Sequence, residues 1–164
     1  MVIKEEIEIN APLNVVWRIF SQMEDWDSWN TACRSCCITA GDASLSAGTC
    51  FSFVIRPLAF PLKVQPKIVK CDPGREVIWE GGKLGINASH TWQFHEEDGK
   101  VTLLSVESFK GPMVWVGYLL KVPERLHRLT VEFLQTLKSA AEACGGESLE
   151  SDQHHAMKRG NCDY

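Results

Sequence analysis

One histidine stands among aromatic residues in a segment that alternates like a β-strand. His90, Trp92 and Phe94 occupy every second position of HTWQF, so an extended backbone would place them on one face. An imidazole titrates near neutral pH and can act as an acid, a base or a hydrogen-bonding partner of a ligand. His90 is therefore the candidate catalytic residue, although a lone histidine on an apolar face more often has a structural role.

Other segments carry aromatic side chains with the same alternation. Trp79 shares a face with Val77, and Phe51 shares a face with Phe53. Such residues form either a solid core or the wall of a partly hollow pocket, and the pattern does not separate the two. Arg56 follows the second segment and could meet an anionic ligand head, but an exposed arginine is the more common situation.

A run of cysteines is the second feature that could do chemistry. Cys33, Cys36 and Cys37 form C-x-x-C-C, but a closed zinc site needs a fourth ligand and preferably a second pair, which the neighbouring sequence lacks. If the run is a strand, Cys33 and Cys37 share one face and Cys36 points to the other. An odd total of seven cysteines also argues against a disulfide framework. We predict reduced thiols and no metal site.

Composition and missing motifs exclude several classes of function. The chain has 164 residues and a net charge of -4, with no Lys/Arg cluster for a phosphate backbone and no apolar run long enough to span a membrane. Nucleotide-binding, P-loop, serine-hydrolase and zinc-protease motifs are absent, so no cofactor is expected. The start, MVIKEEIEIN, does not resemble a signal peptide. These observations predict a cytoplasmic monomer or weak dimer that neither binds nucleic acid nor inserts stably into a membrane.

The end of the chain has the pattern of one long amphipathic helix. From Tyr118 to about Cys144, apolar residues recur at spacings of three and four, which predicts a helix of roughly 40 Å that can lie across a small sheet. Pro123 lies inside this pattern and should kink the helix or mark where a looser first turn becomes the regular helix. Its predicted buried stripe is Leu119, Val122, Leu126, Leu129, Phe133, Leu137 and Ala140. Gly145-Gly146 should end this helix, and the polar remainder lacks periodicity. The predicted domain is therefore 1–144, followed by a disordered tail over 145–164.

In the preceding sequence, turn residues separate segments of strand length, as in a β-meander. After a first strand, Pro12 opens a short helix, and a second short helical or turn segment covers 23–30. Asp72-Pro73-Gly74 and Asp98-Gly99 are turn signals that predict antiparallel hairpins, and GGKLG at 81–85 reads as a flexible turn. The predicted strands are 2–9, 33–39, 49–56, 62–71, 75–80, 88–96 and 100–109. A curved seven-stranded antiparallel sheet around a long C-terminal helix is an α+β fold of the helix-grip type.

Local motifs in this order resemble those of the START-like (SRPBCC) superfamily, most closely its polyketide cyclase/dehydrase-like branch. The resemblance spans residues 2 to about 143. It is carried by Ala11-Pro12, by DWDSWN at 25–30, by VIWEG at 77–81, by HTWQF at 90–94 and by ESFKG at 107–111. Members of the superfamily bind lipids, sterols, polyketides or plant hormones in a cavity between sheet and helix. Some are cyclases or dehydratases, and others are cochaperones.

The resemblance implies that the aromatic faces look toward the C-terminal helix. The resemblance also implies that Trp26 and Trp29 pack the short helices against the sheet. Turns such as GGKLG and the segment Leu58 to Phe60 border the cavity mouth. The predicted ligand-binding residues are Phe51, Phe53, Val77, Trp79, His90, Trp92, Phe94, Leu126 and Phe133.

Three functions are compatible with these features. The leading hypothesis is a binding module for a small hydrophobic or amphipathic, lipid- or polyketide-like molecule, with His90 or Arg56 at its polar end. The alternatives are a cyclase or dehydratase with His90 as acid/base, and a protein-interaction or cochaperone domain with a collapsed cavity. A second titratable group facing His90 in a hollow pocket would favour the enzyme. Glu107 qualifies only if it points inward, whereas Glu80 should lie on the wet face.

A last apolar run, Met113 to Tyr118, precedes the long helix. It fits a lid, a dimer contact or an edge that touches a membrane, and its shortness argues against insertion.

Overall fold

A computed structural model describes the backbone of residues 1–41, 45–83 and 85–159, and the side chains of these residues up to 145. Eight strands form one antiparallel sheet in the order β1-β8-β7-β6-β5-β3-β2, with β4 paired to β3. The strands are β1 Val2–Ile9, β2 Arg34–Ala40, β3 Cys50–Ile55, β4 Leu62–Val64, β5 Lys67–Asp72, β6 Glu76–Lys83, β7 Ile86–Glu97 and β8 Lys100–Lys110. The helices are α1 Leu13–Ser21, a 3₁₀ helix Met23–Ser28, α2 Val114–Leu119 and α3 Val122–Arg159. The predicted helix-grip architecture is thereby confirmed.

The β7–β8 hairpin is the longest pairing of the sheet and follows from its turn. Asp98 and Gly99 both have positive φ, 50° and 74°, a backbone that Asp and Gly adopt at low cost in a two-residue turn. Eleven paired positions then run from Glu97 opposite Lys100 to Asn87 opposite Lys110. The predicted hairpins at Asp98-Gly99 and at 72–74 are both confirmed.

An aromatic cluster joins α1, the sheet and α3. The Phe20 ring on α1 lies 5.1 Å from Phe94, 5.3 Å from Trp92 and 6.4 Å from Phe133, measured between ring centroids. Trp26 of the 3₁₀ helix donates its indole N–H to the Phe20 carbonyl at 2.9 Å. Because these rings are at most 7 % exposed, the cluster holds α1, the sheet and α3 together through apolar burial.

The strand prediction needs two corrections. Residues 62–71 form two strands, β4 and β5, which are separated at Gln65-Pro66, where the proline has no N–H to donate to a continuous ladder. Gly81 and Gly82 lie in β6, where they pair with Ala88 and Asn87, so the GGKLG turn is shorter than predicted. Of the remaining turn, Leu84 lies outside the described residues.

The helix prediction was wrong at both ends. Residues 114–119 form the separate helix α2, and α3 begins at Val122 after Lys121, whose φ of 54° breaks the helical backbone. Leu119, predicted on the buried stripe, is 72 % exposed. At the other end, the backbone of α3 continues through Gly145-Gly146 to Arg159. Residues 160–164 lie outside the described part of the chain, and the division into a 1–144 domain and a tail stays a prediction.

No helix in the described ranges combines the length and the apolar character that crossing a bilayer requires.

Two leucine-to-alanine substitutions should distinguish the buried stripe of α3, which contains Leu137, from Leu119, which was predicted on this stripe but is exposed. Leu137 is fully buried, so Leu137→Ala should lower the free energy of unfolding by about 2–5 kcal/mol through lost burial and a cavity. Leu119→Ala, on an exposed side chain, should change it by less than about 0.5 kcal/mol. Urea denaturation of both variants measures the difference, and equal losses would contradict this packing of α3.

Candidate functional site

A cavity of about 250 Å³ lies between the sheet and the first half of α3. Its walls come from β3, β6, β7 and β8 on the sheet side and from α2 and α3 on the helix side. The lining is apolar apart from a few groups, because most inward-facing strand positions carry aromatic or aliphatic residues. The principal wall residues are Phe53, Ile55, Trp79, Ala88, His90, Trp92, Glu107, Val114, Leu126, Leu129, Thr130 and Phe133.

Six of the nine predicted site residues line this cavity: Phe53, Trp79, His90, Trp92, Leu126 and Phe133. The other three do not. Phe51, Val77 and Phe94 face the same way but are buried in the aromatic core away from the open space. Alternation identified the correct face of each strand. It could not tell which part of that face α3 covers closely and which part it leaves open.

His90 is held in place by neighbours on three sides. Its ring stacks on Trp92 with centroids 4.3 Å apart and meets the Trp79 ring edge-on at 5.2 Å. Its Nε2 shares a hydrogen bond of 2.8 Å with the Ser105 hydroxyl across the β7–β8 pairing. The imidazole therefore has a fixed orientation, with Nδ1 left to face the next group.

That next group is the carboxyl of Glu107, whose Oε1 lies 3.9 Å from His90 Nδ1. Burial raises the pKa of Glu107 to about 7 and lowers the pKa of His90 to about 3, since an apolar surrounding disfavours the charged form of each. Between these two values both groups are uncharged. The cavity thus contains a carboxylic acid that changes charge near neutral pH. Glu80, as expected, is exposed on the opposite face of the sheet.

Glu107 was a candidate whose direction stayed open and Ser105 was not predicted, although the sequence contained a signal for both. His90 and Glu107 each lie eight residues from the Asp98-Gly99 turn, and they are paired across the hairpin. In an antiparallel pair, directly opposite residues point to the same face. The turn and the inward position of His90 were therefore sufficient to place Glu107 beside it, and the same counting pairs Ser105 with Trp92.

The cysteine run differs from its predicted geometry. Cys33 and Cys36 are both buried, with Sγ atoms 3.5 Å apart, whereas Cys37 is exposed. Ser35 has a φ of 56° and the register of β2 shifts after Arg34, so a bulge breaks the alternation and turns both thiols inward. The hydrogen bond with Cys33 and burial raise the pKa of the Cys36 thiol, which opposes its reactivity as a thiolate. Among the described residues, no three His, Cys, Asp or Glu side chains cluster as around a metal ion.

The cavity reaches the surface beside the β6–β7 turn. Gly82 and Lys83 belong to its lining and are exposed, and Pro57 and Leu62, which flank the segment 58–60, line the same end. Arg56 is exposed and does not line the cavity. The Arg125 guanidinium reaches the Pro57 carbonyl at 3.4 Å, which ties the start of α3 to this loop. The polar residues of the lining therefore include His90, Glu107, Gln65, Lys83 and Thr130, but not Arg56.

The family model described as polyketide cyclase / dehydrase and lipid transport matches residues 1–142. No curated protein matches the chain in sequence.

Several solved structures share the fold. A protein from Thermus thermophilus aligns with a TM-score of 0.74 at 16% identity, covering 88% of this chain and 99% of that one. The Zhui aromatase/cyclase from Streptomyces sp. R1128 aligns with a TM-score of 0.71 at 14% identity, covering 87% of this chain and 93% of that one. Norcoclaurine synthase from Thalictrum flavum aligns with a TM-score of 0.62 at 19% identity, covering 88% of this chain and 85% of that one. At these identities the likeness establishes the architecture and not the activity.

The buried carboxyl should make stability depend on pH in a defined direction. The pKa of Glu107 rises from 4.5 to about 7 on folding, so the native state retains a proton that the unfolded chain releases. The contribution of this group to the free energy of unfolding is fully present below pH 4.5 and is lost as pH rises through about 7. The total loss is up to about 3 kcal/mol. Glu107→Gln should abolish this loss, so the stability of the variant relative to wild type should increase between about pH 5 and pH 8.

Urea unfolding at the two pH values measures this difference. His90 contributes equally to both proteins, because in each of them the unfolded imidazole titrates near pH 6.5 while the buried imidazole stays neutral throughout this range. Glu80→Gln, an exposed change on the neighbouring strand, is the matched control and should follow wild type. A Glu107→Gln difference that stays constant with pH would show that burial does not keep this carboxyl protonated.

Proposed function

The chain belongs to the polyketide cyclase / dehydrase and lipid transport family, and we propose that it binds a small hydrophobic or amphipathic molecule in the cavity between the sheet and α3. The observation that carries this proposal is a hollow, mainly apolar space with a few polar groups gathered at one place. That combination is typical of small-molecule sites, in which apolar burial supplies affinity and polar groups fix orientation. A cochaperone domain with a collapsed cavity is the less favoured alternative.

The size and lining of the cavity limit the ligand. A volume of about 250 Å³ is slightly below the usual range for drug-sized ligands, so the part of the molecule that is enclosed is small. Aromatic walls from Trp79, Trp92 and Phe133 favour a flat or ring-containing body. The indole N–H of Trp92 is buried without a hydrogen-bond partner among the described residues, and an acceptor on the ligand would stabilise it.

The polar end of the ligand should be uncharged. His90 and Glu107 are themselves held in uncharged forms by burial. Arg56 does not line the cavity, and Lys83 lines it as an exposed residue beside the opening, where its ammonium donates to the Lys63 carbonyl, so neither offsets an anion buried beside His90 and Glu107. A hydroxyl or carbonyl group can instead exchange hydrogen bonds with the imidazole, the Ser105 hydroxyl and the Glu107 carboxyl. This favours a neutral polyketide- or sterol-like end over a fatty-acid carboxylate.

Enzymatic acid–base chemistry is the second candidate, and Glu107 is the observation that favours it. A titratable group facing His90 in a hollow pocket is the arrangement expected of an enzyme. With a pKa of about 7, Glu107 can both accept and donate a proton near neutral pH, whereas the lowered pKa of His90 makes the imidazole a weak base. In this mechanism the Glu107 carboxylate removes the α-proton of a β-dicarbonyl substrate, and His90 Nδ1–H stabilises the resulting enolate oxygen.

Filling the cavity should prevent ligand binding without unfolding the protein. Ala88 lines the open space on β7, so the phenyl ring of Ala88→Phe would occupy the volume that a ligand needs. Nile red, a neutral apolar dye, should give a saturable fluorescence increase with wild type. We expect at least about a tenfold weaker dye affinity for Ala88→Phe. Ala40→Phe, at an exposed position on β2, is the control and should bind like wild type.

The binding proposal also makes a smaller prediction for the histidine. If His90 only orients the ligand, His90→Ala should weaken binding by about 0.5–1.5 kcal/mol, the worth of one hydrogen bond. Absence of saturable dye binding to folded wild-type protein would reject the cavity as a binding site and favour the interaction-domain alternative.

Proton exchange tests the enzymatic candidate directly. An aryl β-diketone incubated in D₂O should exchange its α-protons faster with wild-type protein, with a rate that rises through about pH 7 as Glu107 ionises. Glu107→Gln should lose about a hundredfold or more of this rate while dye affinity changes little. NMR measures the exchange. A dye-binding protein that does not accelerate exchange at any pH would remain a binding module only.

A further inference from the structure

Large apolar side chains are exposed together at one place on the molecule. Six of the eight exposed large hydrophobic residues among the described side chains lie on α2, its flanks and the β3–β4 loop. We call these six residues the mouth patch: Phe60, Met113, Trp115, Tyr118, Leu119 and Leu120. Exposed apolar residues that are scattered singly need no explanation, whereas a contiguous group marks an interaction surface.

The two faces of α2 have different environments. Val114 and Gly117, three residues apart, line the cavity. Trp115, Tyr118 and Leu119, spaced as i, i+3 and i+4, share the outer face and are 64 %, 56 % and 72 % exposed. One face of α2 therefore lines the cavity, and its opposite face exposes apolar side chains to the surroundings.

The mouth patch lies where the cavity reaches the surface. The β6–β7 turn approaches the start of α2 so closely that a Cβ added to Gly85 would lie 3.0 Å from Met113 Cγ. Lys83 on the same turn is exposed and lines the cavity, and Phe60 belongs to the loop whose ends, Pro57 and Leu62, line it too. A surface that covered the mouth patch would therefore also cover the opening of the cavity.

Cations outnumber carboxylates in the segments that carry and adjoin the mouth patch, although the whole chain is acidic. The segments 56–63, 81–87 and 110–128 contain seven lysines and arginines and one carboxylate, Glu124, whereas the chain has a net charge of -4. Within the described part of the chain, none of these seven cations forms an ion pair, in contrast to Lys70, Lys100 and Lys138 elsewhere. Lys110 and Lys121 lie directly on either side of α2 and are both exposed.

We propose that the mouth patch is a peripheral docking surface for an anionic lipid membrane, which places the cavity opening against the bilayer. Exposed Trp and Tyr beside aliphatic side chains suit the boundary between headgroups and acyl chains, where an aromatic ring and a polar tip are both accommodated. The surrounding lysines and arginines are attracted to anionic headgroups. A second copy of this chain fits less well, because face-to-face contact would bring the two sets of cations together.

The proposal is independent of whether the cavity binds or converts its ligand, and vesicle flotation tests it. Full-length protein should float with phosphatidylcholine vesicles that contain phosphatidylglycerol, and at least about tenfold less with phosphatidylcholine alone or at high salt. Leu119→Asp should reduce binding by a similar factor. Val69→Asp, an exposed valine on β5 that is 46 % accessible, is its matched control and should bind like wild type.

A charge-matched pair of double variants separates local attraction from net charge. Lys110→Glu with Lys121→Glu should lose flotation at least about tenfold, while Lys4→Glu with Lys67→Glu, exposed lysines elsewhere with the same total change, should lose much less.

Four results would overturn the proposal: no flotation of wild type with anionic vesicles, equal losses in the two double variants, equal losses with Leu119→Asp and Val69→Asp, or a solution dimer that Leu119→Asp dissociates. The last result would assign the mouth patch to self-association. Nile red binding to the same samples reports the cavity separately, so a failure of docking with intact dye binding leaves the proposed function standing.

Discussion

The contact of Phe133 on α3 with the aromatic cluster around Phe20 determines where the fold is solid and where it is hollow. From Phe133 onward, α3 is pressed against the sheet, and Leu134, Leu137 and Ala141 are buried. Before Phe133 the helix still contacts the edge of the sheet through His127 and Glu5 of β1, but Leu126, Leu129 and Thr130 line the cavity. Phe133 is buried in the aromatic cluster and also lines the cavity, so the same contact contributes core stability on one side and borders the open space on the other.

This division explains why two ionisable groups can exist inside an otherwise apolar container. Full packing around His90 and Glu107 would leave a carboxyl and an imidazole with few partners, at a cost of several kcal/mol if either were charged. The hydrogen bond to Ser105 and the ring stacking on Trp92 satisfy one side of the imidazole, and burial keeps both groups uncharged across most of the acidic range. The unsatisfied side of this pair faces the cavity. A core built only for stability would not need these residues, so their presence is the strongest chemical argument for a ligand.

Periodicity and turn chemistry were sufficient to predict the layers of this protein, but not the places where the backbone departs from regular geometry. The order of elements, the β7–β8 hairpin and the inward face of His90 all follow from alternation and from Asp98-Gly99. The bulge at Ser35 does not, because no pattern in the sequence marks this non-glycine residue with positive φ. The helix break at Lys121 follows only in part, since Pro123 predicts a kink or a looser first turn nearby but not the positive φ that separates α2 from α3. The sequence also does not show how closely α3 covers each inward-facing strand residue. Val77 and Trp79 share a face, yet only Trp79 borders the cavity, and that depends on the height of α3 above the sheet.

The break at Lys121 has more influence on the site than any single wall residue. If the spacing of three and four continued without interruption, Leu119 would extend the buried stripe and α3 would cover the whole sheet. Instead the left-handed backbone at Lys121 turns α2 away from the axis of α3, so that Val114 and Gly117 close one end of the cavity while Leu119 points outward. One local backbone feature thereby ends the core, forms a wall of the cavity and exposes an apolar surface beside its opening. These three consequences lie within a few residues of each other, which is why access to the cavity and contact with the surroundings are structurally inseparable in this chain.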